Sequence, residues 1–180
     1  MAMTLLPNAQ SEGMVDLGTY SFSGVASISL PTNTFSTAYD NYLIQMNYKN
    51  TTTAGSMYLR LRSSGTDISA SYYFGAQGWS SAGAAINRAT VNGAEFNLNG
   101  AANAKADDAF YNSINIKLFN PLTTARKSVW CEHTYWNASD VQNSMQGGGF
   151  TSSSSIADSA SFLITGGTIT GSVYVYGMRK

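Results

Sequence analysis

Cys131 and His133 are the first pair of side chains in this sequence that could do chemistry together. They lie two residues apart in the stretch SVWCEHTYW, so on a β-strand both point to the same face. A zinc site needs four protein ligands, or three and a water, and a nucleophilic cysteine needs a well-oriented base. The chain has only one cysteine and one histidine. We therefore expect a partly buried thiol and a hydrogen-bonded imidazole, with no catalytic residue, no metal and no cofactor.

The ten acidic residues are the next candidates, because paired carboxylates cleave glycosidic bonds and clustered ones bind calcium. Most of them fall in predicted turns or at strand ends, where Asp is favoured for its hydrogen bonds to the backbone. Asp107 and Asp108 are adjacent, but no EF-hand spacing accompanies them. The three glycines at 147–149 lack the following Lys of a phosphate-binding loop. The acids thus indicate turns, and a polysaccharide-cleaving enzyme is the least favoured function.

Aromatic side chains are abundant, with eleven Tyr, eight Phe and three Trp. Two segments concentrate them: one contains Tyr72, Tyr73 and Trp79, and the other contains Trp130 and Trp136. Such rings beside Asn, Gln and Ser can bind sugars by stacking and hydrogen bonding, and they also pack well in cores and protein interfaces. We predict these five as glycan-binding or interface aromatics, with sugar contacts in loops near 72–79 and 136–143. The sequence leaves both alternatives open.

The elements that must position these side chains are predicted to be β-strands, because apolar and polar residues alternate with a period of two. In YLIQMNYK, for example, Tyr42, Ile44, Met46 and Tyr48 share one face. The same alternation assigns three further sets to buried faces: Met57, Leu59 and Leu61; Ile114, Ile116 and Leu118; and Ile169, Val173 and Val175. With turn residues between these runs, the pattern predicts eight to ten strands. The expected fold is all-β, a single-domain antiparallel β-sandwich of jelly-roll type.

Three segments depart from this regular pattern. The composition of QGGGFTSSSS at 146–155 predicts a flexible loop. Gly75 and Gly78 interrupt an aromatic run and predict a bulge or bend. Residues 100–110 are the one helix-compatible stretch, although Gly and Asn weaken it.

Composition excludes several classes of protein. Charged residues make up 11% of the 180 and the net charge is zero, so no basic cluster predicts nucleic-acid binding. The apolar runs are too short for a membrane-spanning helix, and the N-terminus does not resemble a signal peptide. A single cysteine excludes an intrachain disulfide. We expect one domain that is stabilised by packing and by self-association.

The first 17 residues lack clear alternation although they contain several apolar side chains: Leu5, Leu6, Met14, Val15 and Leu17. We interpret residues 1–17 as an extended arm that docks on a neighbour and residues 18–180 as the sandwich. A frayed terminus or an extra edge strand is the alternative that the sequence leaves open.

Several stretches resemble a module of tailed-bacteriophage virion proteins, especially those of cyanobacterial phages. These are YSFSGVASISLPTNTFSTAYDNYLIQMNYKN, then LRLRSSGTD followed by SYYFG, and finally GTITGSVYVYGMRK. The resemblance covers roughly residues 20–180 in the right order, and the segment 80–160 carries little of it. It implies a jelly-roll β-sandwich on the virion exterior that forms a homotrimer. It implies no catalytic residues.

From this resemblance we expect a non-enzymatic structural protein at the virion surface, synthesised in the host cytoplasm. It would serve as a capsid decoration or cement knob, or as a module mounted on a tail fibre. Because no fibre trunk precedes the module, we expect attachment through the arm or through the base of the module. Its partners would be copies of itself and other virion proteins, the major capsid protein or fibre and tail components, without nucleic acid or membrane insertion. The alternative is a receptor-binding tip that recognises host surface glycan.

Overall fold

The computed structural model of the protein describes residues 13–51, 54–99, 104–106 and 109–178, and within these ranges all regular secondary structure is β-strand. The thirteen strands are β1 (Met14–Val25), β2 (Ser27–Ser29), β3 (Asn41–Asn50), β4 (Met57–Ser63), β5 (Thr66–Asp67), β6 (Tyr72–Ser80), β7 (Ala85–Gly93), β8 (Phe96–Asn97), β9 (Asn112–Phe119), β10 (Lys127–Trp136), β11 (Gln142–Thr151), β12 (Ser159–Ile164) and β13 (Ile169–Met178). The count exceeds the predicted eight to ten partly because β2, β5 and β8 are too short to show alternation.

The strands form two antiparallel sheets. The large sheet has eight strands in the order β1-β13-β3-β9-β10-β11-β6-β7. The small sheet has the order β2-β12-β4-β5, and β8 also pairs with β4. The predicted all-β antiparallel sandwich is confirmed, and the jelly-roll subtype stays a prediction.

The core lies between the two sheets. It combines large-sheet side chains such as Tyr42 and Ile116 with small-sheet side chains such as Leu59 and Phe162 in one buried cluster. The residues that the alternation assigned to buried faces in β3, β4, β9 and β13 are each at most 1% exposed. Successive side chains on a strand point to opposite faces, so this result also fixes which residues lie on the outer face of the large sheet.

The glycine-rich segment is a correction to the sequence prediction. Residues 142–151 form the interior strand β11, which pairs with β10 on one side and β6 on the other, so the predicted loop over 146–155 is wrong through Thr151. A side chain at Gly147 or Gly149 would place a Cβ within 2.4 Å of the β6 backbone. Glycine is present because two strands approach closely. The glycine content predicts a flexible loop, because composition does not distinguish a close contact between strands from flexibility.

The two other irregular segments also differ from expectation. Gly75 and Gly78 lie inside the continuous strand β6, and the register shift between β6 and β7 falls between Tyr72 and Phe74 instead. In the segment 100–110, Ala104 forms bridges to Gly55 and Asn137, as extended backbone does, and residues 100–103, 107 and 108 lie outside the described ranges.

The C-terminal end of the predicted arm is part of the large sheet. Met14, Val15 and Leu17 belong to β1, which pairs with β13 along its length and forms one edge of the large sheet in the described part of the chain. For these three residues, the edge-strand alternative is the one observed. Leu5 and Leu6 lie outside the described residues. No helix in the described ranges is long and apolar enough to cross a membrane.

Candidate functional site

The Cys131–His133 pair is buried in the core. His133 is 1% exposed, and its Nδ1 lies 2.9 Å from the carbonyl oxygen of Leu98, so Nδ1 carries the proton and donates it. Nε2 then accepts from the hydroxyl of Tyr48 at 3.1 Å. Burial lowers the pKa of His133 to about 4, although the Leu98 hydrogen bond opposes this shift. The imidazole is therefore neutral at pH 7 and fully hydrogen-bonded.

The thiol of Cys131 is equally sequestered. Burial raises its pKa far above the ordinary value, and the nearby Glu132 adds to the shift, so the thiolate that a nucleophile or a metal ligand needs does not form at pH 7. Among the described residues, no group of three or more His, Cys, Asp or Glu side chains is arranged to hold a metal ion. Both residues pack the core.

Acidic side chains on the small sheet are held in ion pairs. Glu95 Oε2 lies 2.6 Å from Arg60, and Asp67 Oδ1 lies 3.0 Å from Arg62. Asp67 also accepts a hydrogen bond from the hydroxyl of Ser161 at 2.8 Å. These arginines hold the carboxylates in fixed positions on the outer face of the small sheet, a structural arrangement.

The outer face of the large sheet holds a different set of side chains. The strand register aligns one polar residue from each of six neighbouring strands, β6, β11, β10, β9, β3 and β13, in a single row. In that order the row consists of Gln77, Gln146, Glu132, Asn115, Gln45 and Tyr174. The parallel row beside it consists of Trp79, Ser144, Thr134, Ser113, Asn47 and Ser172. Amides and hydroxyls thus cross most of the sheet perpendicular to the strands.

These rows line a continuous depression, which we call the outer groove. It consists of three shallow hollows of about 350, 350 and 390 Å³. The first two share Ser113 and Asn115, and the second and third share Asn47 and Tyr174. The groove runs from Trp79 on β6 to Tyr174 on β13, so it crosses six strands.

The groove is polar and nearly uncharged. Among its lining residues Glu132 is the only ionisable acid, and none is a Lys, Arg or His. Two of its amides are already ordered, since Gln45 Nε2 donates to Asn115 Oδ1 at 3.0 Å. That bond does not use the Gln45 carbonyl oxygen or the Asn115 amino group.

Four of the five predicted aromatics lie on this outer face. Trp79 lines the groove and is 69% exposed, and Trp130 lies one row away, 38% exposed. The Trp130 ring covers Gly148, whose Cβ would lie 3.2 Å from it. Tyr73 stacks on Phe150 at 4.8 Å, and Trp136 stacks on Phe110 at 4.7 Å.

The prediction of Tyr72 as a glycan-binding or interface aromatic is wrong, because this side chain belongs to the core. It is fully buried, and its hydroxyl accepts from the Leu61 amide and donates to the Ile68 carbonyl oxygen, each at 2.8 Å. It is therefore not available to a ligand. The residues near 72–79 also contact the groove from the face of a strand instead of from a loop.

The amides of the groove, above all Gln77, Gln146 and Asn115, were not predicted as site residues. Alternation alone puts Gln45 and Tyr174 on an outer face, and that was the available signal. Their alignment across six strands depends on register, which brings together residues as far apart in sequence as Gln45 and Tyr174.

Comparisons with protein-family models, with curated proteins and with solved structures find no match to this chain.

Proposed function

We propose that this protein is a non-enzymatic glycan-binding module on the exterior of a tailed-phage virion, where it recognises host surface polysaccharide. The outer groove is the observation that carries the binding role. The sequence resemblance to phage virion modules supports the location and the homotrimeric state.

The groove provides both types of contact that sugars require. The exposed indole of Trp79 offers a flat apolar surface for the C–H face of a pyranose ring. Amides such as Gln146 and Asn115 each offer a donor and an acceptor, which suits sugar hydroxyls because these also do both. A non-enzymatic role agrees with the lining, since glycoside cleavage uses two carboxylates and the described lining contains Glu132 alone.

Trp79→Ala is expected to weaken glycan binding roughly tenfold, because losing one stacking contact costs on the order of 1.4 kcal/mol. Binding to immobilised polysaccharides by surface plasmon resonance would measure the change. The melting temperature should stay within about 2 °C of the wild type, because the side chain is 69% exposed.

Val91→Ala is the matched control, since it removes another exposed apolar side chain from the same sheet, on β7 and outside the groove lining. It is expected to leave binding unchanged. Equal binding by the wild type and Trp79→Ala, or an equal loss in both variants, would contradict a role for the groove.

A capsid-decoration or fibre-mounted attachment role is the second candidate, and the position of β1 favours it. The described chain enters the large sheet at an edge strand, and Met14 at the start of that strand is 55% exposed. Segments next to an open sheet edge can add to a partner's structure. Leu5 and Leu6 stay the proposed contacts with other virion proteins.

Deletion of residues 1–12 is expected to abolish attachment to purified virions while leaving glycan binding and the melting temperature unchanged. Co-sedimentation with particles that lack the protein would measure attachment. A truncated protein that still co-sediments would exclude the arm as the docking element.

A further inference from the structure

Resting on the proposed glycan-binding role, we propose that the outer groove takes an internal segment of a linear, uncharged polysaccharide, laid across the strands with about one sugar ring per strand. The spacing of the strands indicates one ring per strand, the open ends of the groove indicate an internal segment, and its charge indicates an uncharged polymer.

The spacing follows from the register. The row that begins at Gln77 and ends at Tyr174 takes one residue from each of six adjacent strands. Neighbouring strands lie about 4.8 Å apart, so the row extends over roughly 24 Å. A pyranose ring in an extended chain advances by about one strand spacing, so the amides repeat in step with the rings of a straight polymer. The groove then matches roughly five to six rings.

The ends of the groove suit a chain that continues past them. Beyond Tyr174 the paired residue on β1 is Thr19, and beyond Gln77 the paired residue on β7 is Asn87. Both side chains are small and exposed, so within the described residues the rows end in open surface. A pocket for a chain terminus requires a closed end, whereas an open groove accepts an internal segment.

The charge of the groove selects against acidic polymers. Uronates, sulfates and phosphates are recognised by clusters of Arg and Lys, and the described lining has neither; Lys117 lies in the adjacent row and Lys49 covers the Tyr111 ring at one end, as single flanking charges. Glu132 lies near the middle of the row, where it would repel an anionic chain and accept hydrogen bonds from neutral hydroxyls. The Gln45–Asn115 hydrogen bond holds two amides in place before the ligand arrives, which reduces the entropy lost on binding.

A second copy of this chain is the competing occupant, and the lining argues against it. The buried centre of a protein interface is apolar and depleted in charge. Here the centre of the groove contains Glu132, Asn115 and Thr134, and its large aromatic side chains flank that centre, Trp79 at one end and Tyr111, Tyr174 and Tyr176 at the other. A polyhydroxylated ligand matches that centre better than another protein surface does.

The test uses the full chain and three sets of immobilised linear polysaccharides, namely neutral glucans and mannans, acidic polygalacturonate and basic chitosan. Tightest binding to a neutral polymer is expected. With oligosaccharides of that polymer, affinity should rise at least about tenfold from two rings to six and then level off, as each further ring adds contacts along the row.

Glu132→Gln should increase binding to polygalacturonate at least about threefold, because it removes the central negative charge. Asp16→Asn is the control: it removes the same charge from an exposed position on β1, opposite Tyr176 at one end of the groove and away from its centre, and should change polygalacturonate binding less than Glu132→Gln does.

The outcomes separate this inference from the proposed function. Preferential binding to the acidic or the basic polymer, or affinity that does not change with chain length, would overturn the inference while glycan binding stands. Binding to none of the three sets, together with a dimer by light scattering that Trp79→Ala dissociates, would overturn both and identify the groove as a protein interface.

Discussion

Gly147→Ala is expected to lower the free energy of unfolding by about 3 kcal/mol or more, which corresponds to a fall in melting temperature of roughly 6–12 °C for a chain of this size. The added Cβ would lie 2.4 Å from both the Gly75 carbonyl oxygen and the Ala76 Cβ. These atoms belong to the paired strand β6 or are fixed directly to its backbone, so they cannot move aside as a flexible side chain would. Thermal and urea unfolding would measure the loss.

The same substitution should weaken glycan binding, because the pairing of β6 with β11 aligns Gln77 with Gln146 and Trp79 with Ser144. Gly75→Ala is the matched control, as its Cβ would meet no atom within 4 Å. It should change stability by less than about 1 kcal/mol and in the stabilising direction, through the unfolded state. Equal effects of the two substitutions would contradict the close-approach explanation.

Lowering the pH from 7 to 5 is expected to reduce the free energy of unfolding by about 2 kcal/mol through His133 alone. Burial lowers the pKa of His133 to about 4 in the folded protein, compared with 6.5 for an exposed histidine. Between these values the unfolded chain binds a proton that the folded protein does not, so stability falls as the pH falls through this window. Urea unfolding at a series of pH values would measure the slope.

His133→Gln is the control for this pH dependence. The variant is expected to be less stable at pH 7, because it disturbs the hydrogen bonds to Leu98 and Tyr48. Its stability should nevertheless change much less between pH 7 and pH 5. A wild-type protein that is equally stable at both values, or a variant with the wild-type slope, would contradict the assignment. His133 lies between Glu132 and Thr134 of the groove, so acid should weaken the binding face together with the fold.

In β3, β4, β9 and β13 the sequence by itself determined which residues are buried. The core contains four side chains of β3 as predicted: Tyr42, Ile44, Met46 and Tyr48. With a period of two, all apolar residues of a half-buried strand lie on one face, and that face must be the buried one. The same pattern gave the antiparallel sandwich and the outward direction of Gln45 and Tyr174. The sequence also predicted a hydrogen-bonded imidazole at His133, and the buried side chain is hydrogen-bonded to Leu98 and Tyr48.

Only the tertiary structure decided the features that depend on contacts between residues distant in sequence. Gly147 and Gly149 are needed in the interior strand β11 because β6 passes too close for a side chain at either position, and no local signal reports that contact. Tyr72 and Tyr73 are adjacent aromatics, but only packing shows that the first fills the core and the second lies on the surface. The outer groove depends on register most of all. A shift of one residue between two strands would turn the row's side chains to the other face, and local alternation contains no information about which residues stand opposite each other.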